Sequence, residues 1–317
     1  MKKYDITALG EILIDFTSAG VSEIGSSLFE QNPGGAPANV LAAVSKLGGK
    51  SAFIGKVGDD MHGRFLADVL KENNISTDGL IFDKDYFTTL AFVNLSPNGE
   101  RTFSFARKPG ADTQITKDDV KYDIIKESKV FHIGSLSFTD EPARSASFAA
   151  LEFAKSNGIT ISYDPNYRKM LWKDEKTAIS RMRTILDYVN IIKISDEEIP
   201  LLTDSNTPED ASEELLNRGI DCVIITLGSK GALVRIKDGY IISKCPETKV
   251  VDTTGAGDSF MGGFLYRMTK DNKKPCYLTL DKVKEYAEFA NIVGTICVSR
   301  RGAIKAMPSL EEVKNFK

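Results

Sequence analysis

The chain has 317 residues, and 41 Lys and Arg against 44 Asp and Glu leave a net charge of −3. That near balance argues against a nucleic-acid binder working through a basic face and against a polybasic membrane anchor. With 42% hydrophobic and 27% charged residues, and no run of about 18 apolar ones, the composition excludes a disordered chain and a membrane span, and leaves length for a sizeable core.

The opening MKKYDITALGEIL is charged, but Asp5 and Glu11 interrupt any signal-peptide apolar core, so a cytoplasmic location is expected. From there, apolar β-branched runs alternate with helical ones. YDITALG, SAFIGKV, KVFHIGSL, GITISYD, VNIIKIS and DCVIITLG read as strands. Helical spacing lies between them, as at Phe65, Leu66, Val69, Leu70 and at Phe148, Leu151, Ala154. Continuous apolar strands separated by helices predict a parallel sheet covered on both faces. Two stretches break the alternation. Residues 12–33 continue as strand-like pieces, and residues 86–107 form two alternating runs joined by Pro97-Asn98-Gly99, a hairpin signal. Paired across the carboxyl ends of the main strands, they would make a lid where open α/β sheets bind ligands; the alternative is a pair of plain surface hairpins. The C-terminal third ends in long helices, one with an apolar stripe of Val283, Tyr286, Ala287, Ala290, Val293, Gly294 and Cys297.

Several chemistries are poorly supplied. Cys222, Cys245, Cys276 and Cys297 form no C-x-x-C, so reduced and mostly buried thiols are expected. His132 reads as a satisfied core residue and His62 as a surface residue at a helix start. That leaves little for zinc hydrolysis or a Ser-His-Asp triad. Carboxylates, backbone amides and bound ions must carry the chemistry.

Two glycine-rich helix starts suit that task. In NPGGAPANV, Pro33 and Pro37 stiffen the approach, Gly34-Gly35 bring bare backbone close to a partner, and Asn39 projects from the first turn. Such a wall suits hydroxyls, as on a sugar, although glycines needed only for packing would look the same. In KVVDTTGAGDSFMGGF, a strand expected to end near Val251 enters Asp252-Thr253-Thr254, then Gly255-Ala256-Gly257-Asp258 and an amphipathic helix. Glycines there let successive N–H groups converge at the positive end of the helix dipole, an anion hole for phosphate. The dipole should keep Asp258 ionised, ready to accept a proton from an attacking hydroxyl; the plainer alternative makes it a helix N-cap. Familiar phosphate fingerprints fail. Val44 stands where a Walker A glycine is needed, and G-x-G-x-x-G from Gly255 reaches Phe260, which disfavours a nicotinamide oxidoreductase.

NPGGAPANV with the downstream FIGKVGDD, and DTTGAGDSFMGGF, resemble the two signatures of the PfkB, or ribokinase-like, family of sugar kinases. The similarity runs from GEILIDF to RRGAIKAMP. Within the family the chain is most similar to the fructokinases, which phosphorylate D-fructose on its 6-hydroxyl with ATP. The nearest alternative is 2-keto-3-deoxygluconate kinase, ahead of ribokinase and the nucleoside kinases; the intact GAGD disfavours a non-catalytic sugar sensor. The resemblance implies an α/β fold in one domain over 1–317: a three-layer αβα body with a central, mostly parallel sheet and a small β lid from segments about 12–33 and 86–108. It implies Asp258 as general base and Gly255, Ala256 and Gly257 as the anion hole. Asp15, Gly34, Gly35 and Asn39 would hold the sugar, with Arg107 and Arg168 as positive groups. Phe103 and Phe105 would pack on the sugar or on each other. Lys193, Thr226, Gly228 and Asn291 would contact ATP. Glu198, in S-x-x-E where the family often has N-x-x-E, would help hold Mg2+ through water. Asp252 and Thr254 would lie at a monovalent cation, typically K+. Sugar and ATP are the expected partners, with no nucleic acid or membrane, and a homodimer through the lid is a further option.

Overall fold

The computed structural model of the protein describes residues 2–95 and 101–316, and the side chains of all of these except 94, 95 and 101–103. In chain order the strands are β1 (Tyr4–Leu9), β2 (Leu13–Val21), β3 (Ser27–Gly34), β4 (Ser51–Gly58), β5 (Ile75–Asp83), β6 (Leu90–Leu95) and β7 (Arg101–Ala106). Then come β8 (Ser128–Gly134), β9 (Thr160–Asp164), β10 (Ile191–Ser195), β11 (Cys222–Thr226), β12 (Ala232–Ile236) and β13 (Gly239–Ser243). Nine of them form one sheet in the order β13-β12-β11-β10-β9-β8-β1-β4-β5, parallel except at the antiparallel β11-β12-β13 edge.

Both faces of this sheet are covered, which is why its strands read as unbroken apolar runs. Ile6, Ile191 and Ile224 point into one core beneath the helices Ala36–Lys46, Ala256–Lys270 and Leu280–Val298. Leu9, Ile192 and Ile225 point into a second beneath Ala143–Ser156, Glu175–Ile185 and Pro208–Asn217. The result is three layers, αβα. The edge strands β5 and β13 are only partly buried, carry no continuous apolar run, and escape the sequence pattern.

The remaining strands form a small sheet, β3-β2-β6-β7, with β2 and β6 parallel and the outer pairs antiparallel. Its register sets Asp15 opposite Asn32 and Ala91. Leu13, Asp15 and Thr17 face a cavity, while Phe16 on the other face stacks on Phe92 at 5.3 Å and meets His62 edge-on. The Pro97-Asn98-Gly99 turn lies outside the described residues. Asp60 ties this sheet to the body: it caps the helix Met61–Glu72 through the His62 and Gly63 N–H groups and accepts the Thr88 N–H as well.

Three expectations change. No strand runs to Val251; β13 ends at Ser243, and the exposed Lys249-Val250-Val251 stretch is anchored where the Val251 N–H meets the Val298 carbonyl. Of the free thiols, Cys222 and Cys297 are buried, Cys245 is half-buried and Cys276 is exposed. His132 is buried but half-satisfied. Its Nδ1 pairs with Ser162 Oγ at 3.0 Å, and Nε2 has no partner among the described residues. Burial, then Lys193, pushes its pKa down to about 3, so it is neutral. Among the described residues no helix is long and apolar enough to cross a membrane.

Candidate active site

The chain departs from β1 in two directions, to β4 on one side and β8 on the other, and a crevice is expected at the carboxyl ends of such a switch point. A cavity of ≈ 620 Å³ lies there, between the main strands and the small sheet. Glu11 reaches it just past β1, Asn166 just past β9 and Lys193 from β10, with Asp15 on the small sheet and Asp258 on the opposite wall.

The glycine loop sets that wall. Gly255 is the N-cap of Ala256–Lys270 in a left-handed conformation, φ 78°, and a Cβ there would come within 2.9 Å of Ala303 Cβ. Only glycine fits without strain. Asp258 is therefore the third helical residue and not the cap. The Ala256 N–H returns to the Thr253 carbonyl at 3.2 Å and the Ser259 N–H to the Gly255 carbonyl at 2.8 Å. Among the described residues no such acceptor faces the N–H groups of Gly257 and Asp258, so these two remain to meet an anion. The expected contribution of Ala256 is corrected: its amide is already used. A Cβ on Gly257 would sit 2.6 Å from Lys193 Nζ, which places an ammonium beside the same helix start.

Asp258 is buried with both oxygens engaged. Oδ2 accepts from Asn39 Nδ2 at 2.8 Å and Oδ1 from Asn166 Nδ2 at 3.3 Å. Burial first, then the Asp164 charge, pushes its pKa up to about 6, against the pull of Lys193, Asn39 and Arg168. The helix dipole does not hold this carboxyl low, because lost hydration and a like charge outweigh a half-charge at a helix end, although at about 6 the group is still mostly ionised at neutral pH, as expected. Lys193 is buried against Asp164 at 2.6 Å. Burial works against its charge, yet Asp164, Glu198 and Asp258 raise its pKa and keep it an ammonium.

Across the cavity, burial pushes Asp15 up to about 6, with Arg168 pulling it down. A Cβ on Gly34 would strike the Asp15 carboxylate, and one on Gly35, at φ 110°, the Glu11 carbonyl. Both glycines are there for close approach. Glu11 accepts the Ala36 N–H at 3.0 Å, and burial lifts its pKa to about 7. Arg168 is exposed at the cavity rim, and Phe105 lines the cavity; the side chain of Phe103 lies outside the described residues. Glu11, Asp164 and Asn166 are site residues that sequence reasoning missed. Their one signal is position, directly after or at the end of a strand whose carboxyl end meets the crevice.

Other expected residues face elsewhere. Arg107 is buried, donating to Asp112 from Nε at 2.8 Å, to Thr139 Oγ1 at 2.9 Å and to the Leu136 carbonyl at 3.0 Å. It braces the end of β7 and is not among the residues lining the cavity, which corrects its reading as a positive group at the sugar. Glu198 accepts the Tyr167 N–H at 2.7 Å and the Ser195 N–H at 2.8 Å, so S-x-x-E is a capping box turned toward backbone. Asn291 Nδ2 donates to the Ser243 carbonyl and hydroxyl and the Lys244 carbonyl, tying Leu280–Val298 to the chain after β13. Thr226 and Gly228 lie at the end of β11, outside the cavity lining. Asp252 accepts the N–H and hydroxyl of Thr254 on one oxygen and the Gly302 N–H on the other. Among the described residues no three His, Cys, Asp or Glu side chains gather to hold a metal.

The chain is similar to known proteins over nearly its whole length. The model of the pfkB family carbohydrate kinases matches residues 3–310. Probable fructokinase-5 of Arabidopsis thaliana is 43% identical over 316 residues, covering 96% of this chain and 94% of its own. A fructokinase with bound ATP from Xylella fastidiosa has a TM-score of 0.91 at 31% identity, covering 99% of this chain and 98% of its own. A fructokinase from Vibrio cholerae O395 in fructose, ADP and calcium ion bound form has a TM-score of 0.89 at 31% identity, covering 99% of each chain.

Proposed function

Because the chain belongs to the pfkB family of carbohydrate kinases, we propose that it is an ATP-dependent fructokinase, transferring the γ-phosphate to the 6-hydroxyl of D-fructose. The observation that carries this reading is the Asp258 corner: a buried carboxylate beside an ammonium and two helix-start amides with no acceptor among the described residues, facing a wall that suits hydroxyls. Asp258 takes the proton from the sugar hydroxyl as its oxygen attacks phosphorus. The Gly257 and Asp258 amides and Lys193 hold the charge on the transferring phosphoryl oxygens. Asp15, the Gly34-Gly35 backbone and Arg168 hold the sugar, and Phe105 packs beside it, while Asn39, expected among the sugar ligands, is turned to Asp258. Thr226 and Gly228 meet a nucleotide laid along the carboxyl edge of β10 and β11, with Asn291 supporting that edge from behind. The whole of 1–317 works as one domain, its small sheet a lid that excludes water during transfer.

Magnesium is the divalent ion assigned here, and it supplies neutralisation of phosphate charge as the bond breaks. Glu198, with both oxygens on backbone donors, fits only as an outer partner acting through water. Asp252 and Thr254, an all-oxygen set behind the glycine loop, fit a monovalent cation such as K+. Phe29 and Phe92, 46% and 39% exposed on the face of the small sheet away from the cavity, support a homodimer through that sheet.

The 2-keto-3-deoxygluconate reading, whose acid substrate Arg107 and Arg168 would both suit, loses one of these two cations, since Arg107 is committed to Asp112. A panel of sugars in a coupled ADP-release assay tests the choice, with fructose expected to turn over best. Tight, salt-sensitive binding of the acid without fructose turnover would overturn it.

A further inference from the structure

The two carboxamides on Asp258 differ in every respect that matters to a base. Asn39 is 4% exposed, stands on a packed helix and donates at 2.8 Å. Asn166 is half-buried, stands on a turn at φ 46° and donates at 3.3 Å, near the limit of a hydrogen bond. A carboxylate only accepts, so each amide must turn its nitrogen toward it. For Asn39 that leaves Oδ1 buried with no partner among the described residues. A core site tolerates such an orphan only where the other end of the group is needed.

We infer that Asn39 and Asn166 are positioning residues that give the two Asp258 oxygens separate duties: Asn39 fixes Oδ2, while Asn166 occupies Oδ1 until a sugar hydroxyl displaces it. The inference rests on Asp258 being the base. The proton passes from the sugar 6-hydroxyl to Oδ1, the electron pair this frees on the sugar O6 forms the bond to phosphorus, and the bond to the leaving ADP oxygen breaks with its electrons going to ADP. Oδ2 keeps its Asn39 bond throughout and holds the carboxylate plane.

The surroundings make both donors necessary. Asp164 at the end of β9 opposes ionisation of Asp258, and Arg168 on the turn after β9 and Lys193 on β10 favour it. From Leu280–Val298 comes Cys297, a thiol whose pKa burial lifts to about 11, so that it adds no charge. Removing either amide donor therefore raises the pKa of the base, and activity is lost at a higher pH on acidification.

The test is the pH dependence of kcat and of kcat/KM for fructose, from pH 5 to 9 at saturating ATP and magnesium, with single-turnover quench to isolate transfer. The kcat/KM profile reports the sugar-free site and kcat the loaded one. Asn166→Gly keeps the left-handed backbone and removes the amide. It is expected to move the acid limb of kcat/KM upward by about half a pH unit or more while leaving that of kcat in place. Asn39→Ala is expected to move both limbs upward and lower kcat by about 10–100-fold. If Asn166→Gly moved both limbs, or neither, the division of duties would be wrong. Should that variant fail to fold by thermal melting, Asn166→Ser carries the same pair of profiles. Asp258→Asn separates the two claims, because full turnover in it would remove the base itself whatever the limbs of the Asn variants did.

Discussion

The wall around Asp258 and the edge around β10 and β11 use the same kinds of residue in opposite directions. On the wall, Asp258, Asp15 and Lys193 face the cavity, because glycine backbone at two helix starts does the structural turning. On the edge, Glu198 and Asn291 are consumed by the peptide groups of the loops they hold. Buried peptide groups must be paired, and where no ladder or glycine turn does it, a polar side chain is drafted. Glycine motifs are therefore safer guides to a ligand than carboxylates and amides, whose first duty is often to the backbone.

The largest effect expected on the wall is chemical. Asp258→Asn keeps shape and hydrogen bonding but removes the proton acceptor, and turnover should fall by about 10²–10⁴-fold with sugar and ATP binding kept by calorimetry. The base works deprotonated, so transfer in the parent protein should fade as pH drops through about 6. Near-normal turnover in the variant would make Asp258 one more structural carboxylate and erase the contrast.

Next comes Arg107, which the geometry moves from the wall to the scaffold. Arg107→Gln leaves Asp112 buried without its charged partner and should cost about 3–5 kcal/mol in denaturant unfolding, with fructose affinity little changed. Unchanged stability with weakened sugar binding would return Arg107 to the wall.

The smallest effect sharpens the comparison through a matched pair. Asp15→Ala should weaken fructose binding by about 1–3 kcal/mol and leave ATP alone. Asn291→Ala should instead cost about 1 kcal/mol of stability and change the KM for ATP by less than about threefold, since its amide holds the Ser243–Lys244 backbone. A tenfold loss in ATP affinity from Asn291→Ala would show an edge residue reaching the ligand.

Much of the fold was legible because both faces of the main sheet are covered and its strands are uniformly apolar. KVV before Asp252 is apolar too, yet Val250 and Val251 are 56% and 51% exposed; hydrophobicity alone does not say which runs find a partner strand. The turn at Gly255 was legible because the backbone freedom it needs is written in its glycines. Asn166 and Asp164 were not, since a polar pair around a proline after a strand looks like any turn. The Asp258 pKa was out of reach as well, for it depends on Asp164, Lys193 and Asn39, the last 219 residues away in sequence. Arg107, Glu198 and Asn291 carried roles by resemblance, and only their partners reveal what else they do.

The small sheet is stitched from two excursions, Leu13–Gly34 and Leu90–Ala106, joined by a parallel β2-β6 pairing, with β4 and β5 of the body made in between. Parallel neighbours need a crossover, and here the crossover is a piece of the main domain. The cover is thus not a cassette. Recombination between relatives that carried β2-β3 without β6-β7 would leave β2 with an unpaired edge, an invitation to aggregate. Grafting a new sugar preference through this sheet would take two coordinated exchanges, so its inheritance is tied to that of the body it covers.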